Sequence, residues 1–187
     1  MGLDVLILTD NLEEIHTDDF LENSDLYSLS RTFCNFLCRP NVSTVEPELD
    51  QIGIITGVDI SPLYEMETYL SGDALDFYVS VAENEEERNA VIANAEAAKE
   101  KLKGNIDRVL VIINQLINKL SVINNLPELL DNGGNDTLNS KVYFADFNID
   151  KGKGYIGNNF GQDLRNFRRF LEYAKSKGTQ TVYFNYG

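Results

Sequence analysis

The residues best suited to chemistry in this chain gather in short acidic or glycine-rich stretches. Asp146-Phe147-Asn148-Ile149-Asp150-Lys151-Gly152 places oxygen-bearing side chains at alternate positions, the opening of an EF-hand-like loop for a hard cation such as Ca²⁺. The pattern then breaks. Lys151 stands where the turn glycine belongs and Gly157 where a bidentate Glu would complete the coordination, so an ordinary Asp/Asn turn is preferred over a calcium site. Gly152-Lys153-Gly154 and Gly157-Asn158-Asn159-Phe160-Gly161 lead into a predicted helix, where backbone N–H groups can hold a phosphate. Neither a GxxxxGK[ST] nor a GxGxxG register is present, and a loop that needs positive φ accounts for the glycines more simply. His16, the one histidine, lies among Glu13, Glu14, Asp18 and Asp19, which would orient and charge an imidazole. A surface histidine in an acidic loop fits the same residues with no further ligands. Cys34 and Cys38, the two cysteines, share one helical face, a spacing that does not favour an intrahelical disulfide. With one His and no further Cys, any metal they held would take its other ligands from carboxylates, and reduced thiols are the expectation. No Ser or Cys stands in an elbow motif. The expectation is a protein that is not an enzyme and holds no cofactor and no metal.

Charge is the stronger signal. Residues 1–87 hold twenty Asp and Glu against Arg31 and Arg39, while residues 88–187 hold ten acids against fourteen bases, which divides the net −14 into −18 and +4. Like charges at that density repel one another and weaken a compact fold, so their retention points to use by a partner or to solubility. The expected binding face comprises Asp10, Glu13, Glu14, Asp18, Asp19, Glu22 and Asp25, together with Glu83, Glu85, Glu86 and Glu87. Arg165, Arg168 and Arg169 make a basic helix face. For these the expectation is pairing with acids of the first half and not nucleic-acid binding, because the chain as a whole repels a polyanion.

These residues must be positioned by a mainly helical α+β fold, read as a single domain over 1–187. It has a long central helix or helical hairpin and a small sheet formed by the N-terminal strand and the C-terminal aromatic strands. Leu3–Leu8 reads as a strand running into a turn at Thr9-Asp10-Asn11. Asn23 or Ser24 can cap a helix carrying Leu26, Leu29, Phe33 and Phe36 or Leu37, ended by Arg39-Pro40. Asn41–Gln51 reads as a loop, Ile52–Thr56 as a short strand or buried turn, and Ser61-Pro62 as the start of a helix with Leu63, Met66, Tyr69 and Leu70 inward. Ala74–Ala82 reads as a further helical turn or two. The longest element runs from the glutamates at 83–87 to Ile123, with a heptad seam from Leu102 and an interruption at Gly104, where a kink or a break into two helices is expected. Lys141–Phe144 and Thr181–Phe184 read as similar aromatic strands. The helix between them, Gly161–Lys177, turns Leu164, Phe167, Phe170, Leu171 and Ala174 inward and closes at Gly178.

The opening Met1-Gly2-Leu3-Asp4 and strand, with the closing Gly161-Gln162-Asp163-Leu164-Arg165 helix and its aromatic strand, resemble small uncharacterised bacterial proteins that begin with the same four residues. In size and acidity the chain also resembles cytosolic immunity proteins of bacterial toxin systems. That resemblance implies a class and assigns no residue a role. With no apolar run long enough to span a membrane, and Asp4 where a secretory signal would be basic, a cytoplasmic location is expected, with no membrane partner. The leading expectation is therefore an acidic binding protein, an immunity-type inhibitor of a basic partner such as a toxin, monomeric or homodimeric. The alternatives are an assembly protein using the 102–123 seam and a calcium-dependent module at 146–152.

Overall fold

The computed structural model describes residues 4–41, 45–134, 139–152 and 154–186. In chain order the elements are β1 (Val5–Thr9), α1 (Leu12–Ile15), α2 (Asp18–Glu22), a 3-10 turn at Ser24–Leu26, α3 (Arg31–Cys38) and a second 3-10 turn at Arg39–Asn41. There follow α4 (Glu48–Thr56), α5 (Ser61–Tyr64), α6 (Gly72–Val81), α7 (Glu85–Leu102), α8 (Ile106–Leu120), α9 (Leu126–Leu129), α10 (Ser140–Tyr143), α11 (Phe160–Ser176) and β2 (Val182–Tyr186). The fold is mainly helical α+β, as the sequence pattern implies. Its described sheet is one antiparallel pair, β1 with β2, in register from Val5↔Tyr186 to Thr9↔Val182.

The two ends of the chain thus close on each other, and α8 and α11 pack beside them. Ile106, Val109, Ile113, Leu116 and Leu120 of α8 and Leu164, Phe167, Phe170, Leu171 and Ala174 of α11 are buried. Each such Val, Leu, Ile or Phe side chain stabilises the fold by about 1.5–3 kcal/mol relative to leaving it exposed. The apolar positions of the heptad seam from Leu102 to Leu120 are therefore buried in the chain's own fold.

The long helical pattern is two helices. Gly104 takes φ +70, a left-handed conformation that interrupts the helix after Leu102. Asn105 fastens the break to the sheet: its Nδ2 donates to Val182 O and its Oδ1 accepts from Val182 N, both at 2.8 Å. Gly104 N donates to Thr181 Oγ1, and Ile106 N to Gln180 O.

Four local readings need correction. The Asn23/Ser24 cap gives only a 3-10 turn; α3 starts at Arg31, where the Ser30 side chain accepts from Phe33 N. The loop read over Asn41–Gln51 gives way to helix at Glu48 and residues 52–56 continue it, because Leu49, Ile52 and Thr56 recur at helical spacing behind Pro47 and Gly57 closes the helix at φ +67. The helix from Ser61 lasts one turn. Its chain then passes the far edge of β2, where Met66 O accepts from Phe184 N, so Met66 is buried while Leu70 is exposed. Lys141–Tyr143 is helical and not a strand, for a reason that lies in the core and is given below.

Candidate functional site

All eleven sequence-predicted carboxylates are exposed. Seven lie between β1 and α3. Asp10 follows the strand and accepts from Gln180 N, Glu13 and Glu14 are on α1, Asp18, Asp19 and Glu22 on α2, and Asp25 in the 3-10 turn. This segment is held against α11 by aromatic packing: Phe20 stacks on Tyr27 and Tyr173, with centroids 5.1 and 5.5 Å apart, and meets Phe170 edge-on. Thr17 and Tyr173 share a hydroxyl hydrogen bond of 3.2 Å. The acids consequently ride on a layer packed against α11 through these rings. Among the described residues none of these seven is in an ion pair, although Asp4, Glu48 and Glu65 elsewhere in the first half pair with Arg31, Arg39 and Arg108.

The other four sit at the turn between α6 and α7. Asn84 caps α7 by accepting from Glu87 N at 2.9 Å, Glu87 Oε2 accepts from Glu83 N, and Glu85 pairs with Arg88. Glutamates in a first turn suit the positive helix end. They lie about 25 Å, the length of eighteen helical residues, from the Leu102 end of α7 that adjoins Thr181 and Asp10. The structure thus gathers the predicted acids into two groups on different elements.

Sequence reasoning missed what stands beside the second group. α6 turns Leu75 and Val79 toward α7, where they are half-buried, yet Phe77, Tyr78 and Val81 are also apolar and remain 60%, 49% and 55% exposed. No residue of α6 is buried. The signal was present in the sequence, since Ala74–Ala82 carries apolar residues on two faces, which ordinarily means that two faces are covered.

Several of the remaining candidates are engaged by the fold. In the EF-hand-like loop Asn148 donates to Ser121 O, Asp150 accepts from Gly152 N, and Asp146 sits at φ +53 with its carbonyl taking the Asn159 amide. The glycine-rich approach, whose Lys153 lies outside the described residues, takes the expected positive φ at Gly152, Gly154 and Gly157, and its last glycine serves packing. A Cβ on Gly161 would stand 2.0 Å from Phe147 O, so only glycine lets the loop lie this close on α11. Arg165 donates to the carbonyls of Phe147 and Ile149, Arg169 to Leu26 O and Asn166 Oδ1, and Arg168 meets Glu172 at 3.8 Å. The expected pairing of these arginines with first-half acids is corrected: most of their partners are backbone carbonyls, because the helix packs under two loops. His16 is exposed beside the Phe20 ring, and among the described residues no group of three or more metal-binding side chains converges. Cys34 and Cys38 are free thiols. Burial pushes the Cys34 thiol up to about 12, which disfavours a reactive thiolate.

A second feature missed from sequence is a polar ladder along α11. Asn159 caps the helix by accepting from Gln162 N, and Gln162 donates to Asn166, which in turn donates to Ser28 O. At its centre Asp163, fully buried, accepts from Ser30 N at 3.0 Å, Ser30 Oγ at 2.5 Å, Tyr143 Oη at 2.8 Å and Asn158 Nδ2 at 2.8 Å. Burial pushes its carboxyl pKa up and the four donors pull it back, with a net rise. This node explains α10: Tyr143 must send its hydroxyl to Asp163 while its ring stacks on Phe36 and Phe144 packs on Phe160. The node is closed and structural.

A cleft of about 370 Å³ opens between Leu37, Cys38, Tyr64, Glu67 and Tyr186, without a convergent charged set. No helix among the described residues is long and apolar enough to cross a membrane. No family model, curated protein or solved structure matches this chain.

Proposed function

We propose that this chain is a non-enzymatic acidic binding protein that occludes a basic partner protein, an immunity-type inhibitor in character. One observation carries the reading: eleven exposed carboxylates on two ordered surfaces, of which only Glu85 has a cation of its own chain among the described residues. Left unpaired, such charges raise the energy of the free monomer. A basic surface arriving within the Debye length of about 8 Å relieves that repulsion and is steered in, so the arrangement favours fast encounter. The 10–25 group gains further from its packed backing on Phe20 and Tyr173, since little ordering is left for the moment of binding.

Affinity capture from the native cell tests this. A partner of basic composition should be retained at low ionic strength and released as salt rises, and the triple variant Asp18→Asn, Asp19→Asn, Glu22→Gln should capture less of it. Retention that is equally strong at high salt would remove the proposal.

A further inference from the structure

We infer that the α6–α7 hairpin is the docking arm of this protein and that its occupant is a basic amphipathic helix of the partner, seated on Phe77, Tyr78 and Val81. The inference rests on the acidic-binder reading and adds where the partner lies and what shape it has.

The hairpin stands apart from the core. The continuous buried cluster takes no residue from positions 67–105, and α7 contributes only Ala95 and Leu102 as buried side chains. A ten-residue helix with nothing buried is marginal in water, so α6 depends on its half-buried stripe against α7. Among the described residues no element covers its outer stripe. Phe77 and Val81 are four apart and Tyr78 and Val81 three apart, which puts them on one ridge, with the Phe77 and Tyr78 rings edge-on at 5.6 Å.

Charge selects the occupant. From Ser71 to Ile92 the chain carries six acids against Arg88, which is itself paired with Glu85. A second copy would bring the same negative rim to the same ridge, and an anionic lipid surface would be repelled. A partner with lysines or arginines beside an apolar stripe satisfies both features. Both hairpin elements are helices and offer no free backbone edge for strand addition, which leaves helix-on-helix packing as the mode of contact.

The probe is a synthetic eighteen-residue peptide of Leu and Lys at helical spacing with one Trp on its apolar face, titrated into the full chain. The chain has no Trp, so the fluorescence belongs to the peptide alone. Binding with a blue shift is expected, with oligolysine of equal charge binding about tenfold more weakly. The variant Phe77→Ser, Tyr78→Ser, Val81→Ser should weaken the peptide about tenfold or more with an unchanged circular dichroism spectrum, whereas Ile54→Ser, at an exposed apolar residue on α4, should not. If the triple variant fails to fold, Phe77→Ser alone should still weaken binding several-fold. Salt-sensitive binding that the hairpin variants leave unchanged overturns the docking arm and leaves the acidic-binder reading standing. Absence of any binding of peptide or oligolysine at low salt overturns both. A dimer of the native chain that the triple variant abolishes puts a second copy on the ridge and overturns the assignment.

Discussion

The α6–α7 hairpin and the α11 layer use similar residues in opposite ways. α11 buries amides and a carboxylate, Asn159, Gln162, Asp163 and Asn166, and satisfies them with Ser28, Ser30, Tyr143 of α10, Asn158 and the backbone of Asp146 and Lys151. The hairpin leaves a phenylalanine, a tyrosine and a valine in water and surrounds them with acids. Polar groups are costly to bury without partners and apolar groups are costly to expose, so each region departs from the usual distribution. In α11 the departure is fully compensated inside the molecule. In the hairpin no element of the described chain compensates it, and that difference is why the hairpin, and not α11, is proposed as the docking arm.

Asp163→Ala should have the largest effect. It strands the Ser30 amide, the Tyr143 hydroxyl and the Asn158 amide in the core, costing about 3 kcal/mol or more and lowering Tm by about 10 °C in calorimetry. A loss under about 1 kcal/mol would mean that the ladder is not the organising element described. Gly161→Ala comes next. The clash with Phe147 O should cost about 3 kcal/mol by chemical denaturation and loosen the 146–152 loop, and a neutral result would show that the loop lifts freely from α11.

Alkaline pH should act on the core and spare the hairpin. Burial holds the Cys34 proton up to about 12 against an ordinary 9.0, and burial holds the Tyr143 proton well above its ordinary 10.0. Above about pH 9 the folded state therefore binds more protons than the unfolded chain, and stability falls as pH rises. Urea midpoints measured from pH 8 to pH 11 should decline, less steeply in Cys34→Ala, and a flat profile would contradict this. Gly104→Ala, which forces a side chain into φ +70 at the base of the hairpin, should cost about 1 kcal/mol with the core retained. Smallest of all, Phe77→Ser should change stability by less than about 0.5 kcal/mol by urea unfolding, because the side chain is already in water. A larger loss would mean that the ridge is part of the fold and not a docking surface.

Much of the scaffold was legible because its signals are local. The apolar spacing in α8 and α11, the break at Gly104 and the cap at Gly178 all act within a turn or two of chain. The acidic groups were legible as residues but not as surfaces: composition places Glu83–Glu87 and Asp10–Asp25 in one half of the chain, and only the length of α7 shows how they are divided. Ile52–Thr56 was misread although its helical spacing was visible, because the β-branched residues of Ile52-Gly53-Ile54-Ile55-Thr56 suggest a strand when the Pro47 and Gly57 boundaries are overlooked.

By itself the sequence determined the helical class, the strand at each end, the split of charge and the places where helices stop, since each follows from side chains interacting with their near neighbours. Tertiary structure alone decided that Tyr143 lies in a helix and not in a strand, that Gly161 lets the Phe147 carbonyl lie against α11, and that the seam positions from Leu102 to Leu120 are buried in the chain's own fold. Those outcomes depend on Asp163, Phe147 and the α8–α11 contact, partners distant along the chain, and a buried hydrogen bond or a close backbone approach outweighs the small local preference it overrides.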